Sequence, residues 1–134
     1  MTRNKYGVAA KHQRTVDGIV FDSKLEASRY SELRLMERAG VIRNLRRQVK
    51  FELVPAFTTT TGEKIRSVNY VCDFAYTERG GHEVVEDSKG ARTPVFLLKR
   101  KLLLYRYPDI DFRETGARGK RNGKQKAFEV QDQF

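Results

Sequence analysis

Val68-Asn69-Tyr70-Val71-Cys72-Asp73-Phe74-Ala75-Tyr76, then Arg79-Gly80-Gly81, then Glu83-Val84-Val85-Glu86-Asp87-Ser88-Lys89-Gly90 is the stretch that decides the fold. Aromatic and β-branched residues dominate the first run, Val84-Val85 is the apolar centre of the second, and the double glycine permits a reversal between them. The segment therefore reads as two strands, Val68–Tyr76 and Glu83–Lys89, joined by a turn. Alternation puts Val68, Tyr70, Cys72, Phe74 and Tyr76 on one face of the first strand, and Asn69, Val71, Asp73 and Ala75 on the other. Asp73 interrupts one apolar run and Asp87 ends the other. A carboxylate in a half-buried strand is costly unless it is paired or bound to a metal.

Upstream, Val16–Phe21 reads as short strands around an Asp17-Gly18 turn. Asp22–Ala39 reads as a helix, with Ser23 three residues before Glu26 in capping-box spacing and Gly40 at its end. Leu25, Tyr30, Leu33, Met36 and Ala39 gather on one side, and Glu26 falls among them. Gln48–Val54 alternates as a strand, and Pro55–Lys64 reads as a loop or a wide hairpin around Thr58-Thr59-Thr60-Thr61-Gly62. Downstream, Thr93-Pro94 starts a helix that runs to about Tyr107 and is stopped by Pro108. Asp109–Phe112 reads as a short edge strand. The order is helix, three antiparallel strands, helix, strand, which predicts an α/β (α+β) domain with a mixed central sheet flanked by helices.

Length and charge narrow the function. The 134 residues make one domain, with a formal net charge of +10. Cys72 is the only cysteine, which excludes an internal disulfide framework and a cysteine-based zinc site and fits a cytosolic setting. No apolar run approaches the ~18 residues of a membrane span, and the first ten residues hold no apolar core of a signal peptide. A strongly basic chain attracts polyanions, with nucleic acid the first candidate. Residues 1–14 read as a flexible basic arm, 15–114 as the folded domain, and 115–134 as a flexible basic tail carrying Arg118, Lys120 and Arg121 among glycines.

In a strand, Asp87 and Lys89 point the same way. With Asp73 beside them, two carboxylates and an ammonium converge. The carboxylates form a site of the Mg²⁺ type, and the lysine can position the water that hydrolyses a phosphodiester. The geometry imposes a condition. Asp73 and Asp87 share a face only if the loop near Arg79–His82 has three or five residues or a G1-type bulge; a two-residue loop separates them. The simpler readings are an ordinary Asp87/Lys89 surface pair at a strand end and a Glu26 that only caps its helix. Glu86 faces away from Asp87 and reads as a surface or salt-bridge residue. Gln48 stands at the start of the first strand, from whose edge it could reach the site, though a structural role suits it better.

Glu26 on the first helix, Asp73 on a strand and Asp87-x-Lys89 on the next resemble the PD-(D/E)XK nuclease superfamily, over roughly Phe21 to Phe112. The patterns Phe21-Asp22-Ser23-Lys24-Leu25-Glu26-Ala27, Asp73-Phe74-x-Tyr76 and Val85-Glu86-Asp87-x-Lys89-Gly90 are similar to those of small phage proteins, and the order is similar to that of phage junction-resolving endonucleases. Cys72 stands where the superfamily's proline would be, and Asp87 where glutamate is commoner. The resemblance implies a restriction-endonuclease-like core and DNA cleavage with Mg²⁺ or Mn²⁺, leaving a 5′-phosphate. It implies Asp73 and Asp87 as metal ligands, Glu26 as a helix carboxylate acting on the metal, and Lys89 as the water-activating lysine. For a phage-encoded chain the setting is the host cytoplasm.

Arg92, Lys99, Arg100 and Lys101 are the expected phosphate contacts of the domain, and a solvated helix face is the competing reading. No base-reading module is visible, so recognition by DNA structure, or none, is expected. Branched DNA such as a Holliday junction suits such an enzyme, particularly as a homodimer with two sites on two strands. The alternative is a non-catalytic nucleic-acid-binding phage accessory protein.

Overall fold

Asp17 and Gly18 both take positive φ, 52° and 78°. This is the backbone of a tight two-residue reversal whose twist matches the strands it joins, here β1 (Thr15–Val16) and β2 (Ile19–Val20). The computed structural model describes residues 9–88 and 92–115. The basic arm before residue 9, Lys89, and the tail with Arg118, Lys120 and Arg121 lie outside the described residues. Residues 9–14, expected in the arm, are part of the fold. Lys11–Arg14 form a 3-10 turn, and the Arg14 guanidinium donates to the carbonyls of Ala9 and Phe21 at 2.9 and 2.7 Å. That tie across the first hairpin moves the start of the domain back from Thr15.

Helix α1 (Lys24–Arg38) begins where Ser23 Oγ accepts the Glu26 N–H at 3.0 Å. It ends with Gly40 N–H donating to Glu37 O and Val41 N–H to Met36 O, the paired bonds of a Schellman motif. Its buried stripe is Glu26, Ala27, Tyr30 and Leu33. Leu25, expected on that side, is exposed, because at ~100° per residue it falls more than a quarter-turn from the centre of the stripe.

The main sheet has the order β3 (Ile42–Val54), β6 (Val68–Glu78), β7 (Glu83–Asp87), β8 (Asp111–Glu114). The first two pairings are antiparallel and β7–β8 is parallel, so the sheet is mixed. Helix α2 (Pro94–Arg106), capped by Thr93, makes the crossover between β7 and β8. The strands β4 (Phe57–Thr58) and β5 (Lys64–Ile65) pair as a small ribbon in the β3–β6 connection. The fold is α+β with the expected element order. Strand β3 starts six residues before Gln48. It is an edge strand in which Asn44 and Gln48 have positive φ (58° and 51°), and such kinks erase the alternation by which a strand is recognised.

Two apolar clusters sandwich the sheet. One joins Ala27, Tyr30 and Leu33 of α1 to Phe21, Phe74, Tyr76 and Val84. The other joins Phe96 and Leu103 of α2 to Tyr70, Cys72, Ala75 and Val85. Val84 and Val85 are adjacent in β7 and point to opposite faces, so the helices cover opposite sides. The expected single apolar face of β6 does not exist: Phe74 and Tyr76 pack toward α1, Tyr70 and Cys72 toward α2. Strand β3 changes sides with it, since Leu45 packs with the α1 cluster and Val49 and Phe51 with the α2 cluster. The register holds through the change, with Arg47 opposite Phe74 and Val49 opposite Cys72. Both strands therefore roll over at one point, where Gln48 lies across from Asp73.

Candidate functional site

The turn between β6 and β7 fulfils the geometric condition for a shared face. Glu78 N–H donates to His82 O at 3.1 Å and Gly81 N–H to Glu78 O at 2.8 Å. Gly81 has φ +95°, which a glycine adopts without strain. Arg79-Gly80-Gly81 is thus a three-residue loop with a left-handed glycine, the geometry of a G1 bulge. The register Thr77 with Glu83 through Phe74 with Glu86 follows, the register that an odd-numbered loop imposes, and Asp73 and Asp87 each adjoin its last pair.

Asp73 is fixed by the start of the next segment: its Oδ2 accepts Ser88 N–H at 2.8 Å and Ser88 Oγ–H at 2.9 Å. Asp87 is buried, 1% exposed, and accepts the hydroxyl of Tyr70. Burial and the bond to Asp87 push the Tyr70 phenol up, which keeps it a donor. Burial likewise pushes the Cys72 thiol up to about 12; it is an inert core thiol.

Glu26 is 6% exposed. Its backbone N–H takes part in the helix cap, but among the described residues its carboxylate makes no return bond to Ser23. Capping therefore does not account for the side chain. Its pKa is raised to about 7, first by burial, then by the negative charges of Asp73 and Asp22, with Asp87 adding less; Arg47 acts in the opposite direction. Glu26 on α1 is thus within electrostatic reach of both strand aspartates, and the site carries more carboxylate than its neighbouring cation balances.

Glu86 lies on the opposite face from Asp87, as alternation requires, but it is not on the surface. It is fully buried, with Arg29 Nε and Nη2 donating to its two oxygens at 2.9 and 2.6 Å and the Tyr76 hydroxyl donating as well. The pair anchors α1 to the sheet beside the site.

The donor chemistry at Asp73, Asp87 and Glu26 fits a hard, oxygen-seeking divalent cation. Their arrangement is closed. Among the described residues no three His, Cys, Asp or Glu side chains stand close enough together to hold a metal, and Ser88 and Tyr70 engage the aspartates.

Of the expected phosphate contacts, Arg92 and Arg100 meet at Glu114, at 2.8 and 3.5 Å. The Arg100 side chain is only 12% exposed and its guanidinium lies 5.6 Å from the Phe112 ring, so it is no solvated surface cation. Burial lowers its pKa. Lys99 and Lys101 are half-buried on α2.

The sequence reading missed Arg47. Its guanidinium carbon lies 4.6 Å from the Phe21 ring centroid, and it is the cation that opposes the upward shift of Glu26. The Arg46-Arg47-Gln48 run was the available signal, but starting the strand at Gln48 put the arginines in a loop.

Residues 3–120 match the family described as Protein of unknown function (DUF1064). No curated protein and no solved structure matches the chain. Among the described residues no helix is long and apolar enough to cross a membrane.

Proposed function

We propose that this chain, which belongs to the DUF1064 family, is a divalent-cation-dependent DNA endonuclease of the PD-(D/E)XK type. The observation that carries this reading is that Asp73 and Asp87, each next to the last β6–β7 pair Phe74–Glu86, both lie in the field of the buried Glu26 carboxylate. Like charges gathered in this way repel unless a cation or protons neutralise them. Asp73 and Asp87 would hold Mg²⁺ or Mn²⁺, and Glu26 would add to its negative surroundings. When bound, the ion would supply Lewis-acid stabilisation of the phosphate and make the attacking water more acidic. The chain's own residues do the positioning. Tyr70 aims Asp87, Ser88 aims Asp73, and the Arg29–Glu86 pair fixes the helix that carries Glu26. Lys89, two residues after Asp87, orients the water, the role implied by the resemblance. The +10 net charge, with Arg92, Lys99, Arg100 and Lys101, supplies affinity for phosphates that falls with salt. Branched DNA is the proposed substrate class, cut by a homodimer in the cytoplasm.

The test is a cleavage panel in Mg²⁺, with EDTA as control, on supercoiled plasmid, four-way junction, flap, single-stranded and linear duplex DNA. Wild-type protein should cut at least one of these, and Asp87→Asn and Lys89→Ala should not. Cleavage that survives both substitutions refutes the site. The engagement of the two aspartates by Ser88 and Tyr70 favours a second reading, a nuclease-like scaffold that binds nucleic acid without cutting it. Gel shifts on branched DNA with no cleavage in any metal would support that reading.

A further inference from the structure

Arg47 stands apart from the other arginines around it. Arg29, Arg46, Arg92 and Arg113 each meet a carboxylate. Arg47, one residue from the point where β3 and β6 change faces, makes no hydrogen bond or ion pair among the described residues, and its Nε is buried without an acceptor. A buried donor left unmatched carries the cost of its desolvation, and in a folded protein such a group calls for a partner or a role.

Its position is built. The guanidinium lies over Phe21, 4.6 Å from the ring centroid, and Phe21 is itself held by Tyr30 and Phe74 at 5.0 and 6.4 Å between centroids. An aromatic face that supports an arginine fixes the plane of its fork, and that fork matches two oxygens of a phosphate. The next residue, Gln48, has the left-handed φ of +51° and lies across from Asp73. The kink that presents Asp73 thus sits beside Arg47. Glu26 feels the Arg47 charge, yet among the described residues no bond joins them, so a phosphate brought to the acid cluster would find the arginine uncommitted.

We infer that Arg47 binds the nucleic-acid phosphate at this site, its guanidinium donating to non-bridging oxygens. The inference rests on the nuclease reading for the identity of the anion, but not for the contact itself.

The experiment measures binding of a fluorescent four-way junction by anisotropy in EDTA, where cleavage is absent, over a range of salt. Wild type is compared with Arg47→Met, which keeps the aliphatic stem over Phe21, and Arg47→Lys, which keeps the charge and loses the fork. Arg66→Met, on the exposed β5–β6 connection, is the control for net charge. Arg47→Met should weaken binding about 5- to 20-fold and reduce the slope of log affinity against log salt by about one. Arg47→Lys should weaken it about threefold or more, and Arg66→Met should do less than either. Should Arg47→Met fail to fold, Arg47→Lys decides: wild-type affinity in that variant overturns the inference. Unchanged affinity and slope in Arg47→Met overturn it too, even if wild type cuts DNA. So does a change in melting temperature alone, the mark of a purely structural arginine. Loss of binding in Arg47→Met from a wild type that never cuts DNA leaves the phosphate contact standing and removes the nuclease. A wild type with no affinity for DNA removes both.

Discussion

Gln48 lies across from Asp73 at the one place where β3 and β6 exchange the faces they bury. On one side of this pair Leu45, Phe74 and Tyr76 pack toward α1, and on the other Val49, Cys72 and Tyr70 pack toward α2. The roll-over has a chemical consequence. A flat sheet would keep a carboxylate from a helix on one face away from aspartates on the other. The twist opens the edge between the two clusters, and there Glu26 of α1 comes within the field of Asp73 and Asp87.

The left-handed backbone at Gln48 should be measurable as strain. A non-glycine residue in that region costs on the order of 1 kcal/mol, and a β-branched one costs more. Gln48→Gly should therefore be neutral or stabilising by up to about 0.5 kcal/mol, although glycine weakens a regular strand. Gln48→Val should destabilise by about 1–2 kcal/mol in urea unfolding. A valine variant as stable as wild type would mean that the kink is absent.

Glu26 gives the stability a pH signature. Its pKa rises from 4.5 to about 7 on folding, so between those values the folded state binds more protons than the unfolded one. Stability contributed by protonated Glu26 is present at about pH 4 and is lost as pH rises through 7. Glu26→Gln, which stays neutral, should match wild type near pH 4.5 and exceed it by about 1–2 kcal/mol at pH 8. Thermal melting across pH checks this, and a glutamine variant no more stable at pH 8 contradicts it.

Arg29 and Glu86 form an ion pair whose disruption leaves a fully buried carboxylate with, among the described residues, the Tyr76 hydroxyl alone. Removing one partner of such a pair costs about 3–5 kcal/mol. Arg29→Met should lower stability by that amount. Arg29→Met with Glu86→Gln should recover part of it, since an amide tolerates burial better than an unpaired charge. Equal melting of the single and double variants would show that the pair is not coupled.

Much of this architecture is legible in the residues themselves. The cap at Ser23, the stop at Gly40, the Thr93-Pro94 start and the loop at Gly80-Gly81 are local chemistry, and each lies where that chemistry puts it. The three-residue loop at Arg79-Gly80-Gly81 is one of the lengths the sequence left open, and it sets the observed β6–β7 register. What the sequence hides is non-local. The exchange of faces at Gln48 and Asp73 depends on two strands rolling over together in register, and period-two reading of either one misses it. The exposure of Leu25, the burial of Glu86 under Arg29 and the seat of Arg47 on Phe21 depend on how α1 lies against the sheet.

The account rests on Asp73 and Asp87 sharing one divalent cation, and calorimetric titration of the full chain with Mn²⁺ tests that most directly. Wild type should bind at one site per chain, and Asp73→Asn and Asp87→Asn should each weaken it tenfold or more while the protein stays folded by circular dichroism. Undiminished Mn²⁺ binding in both variants, or none in wild type at millimolar metal, would contradict it.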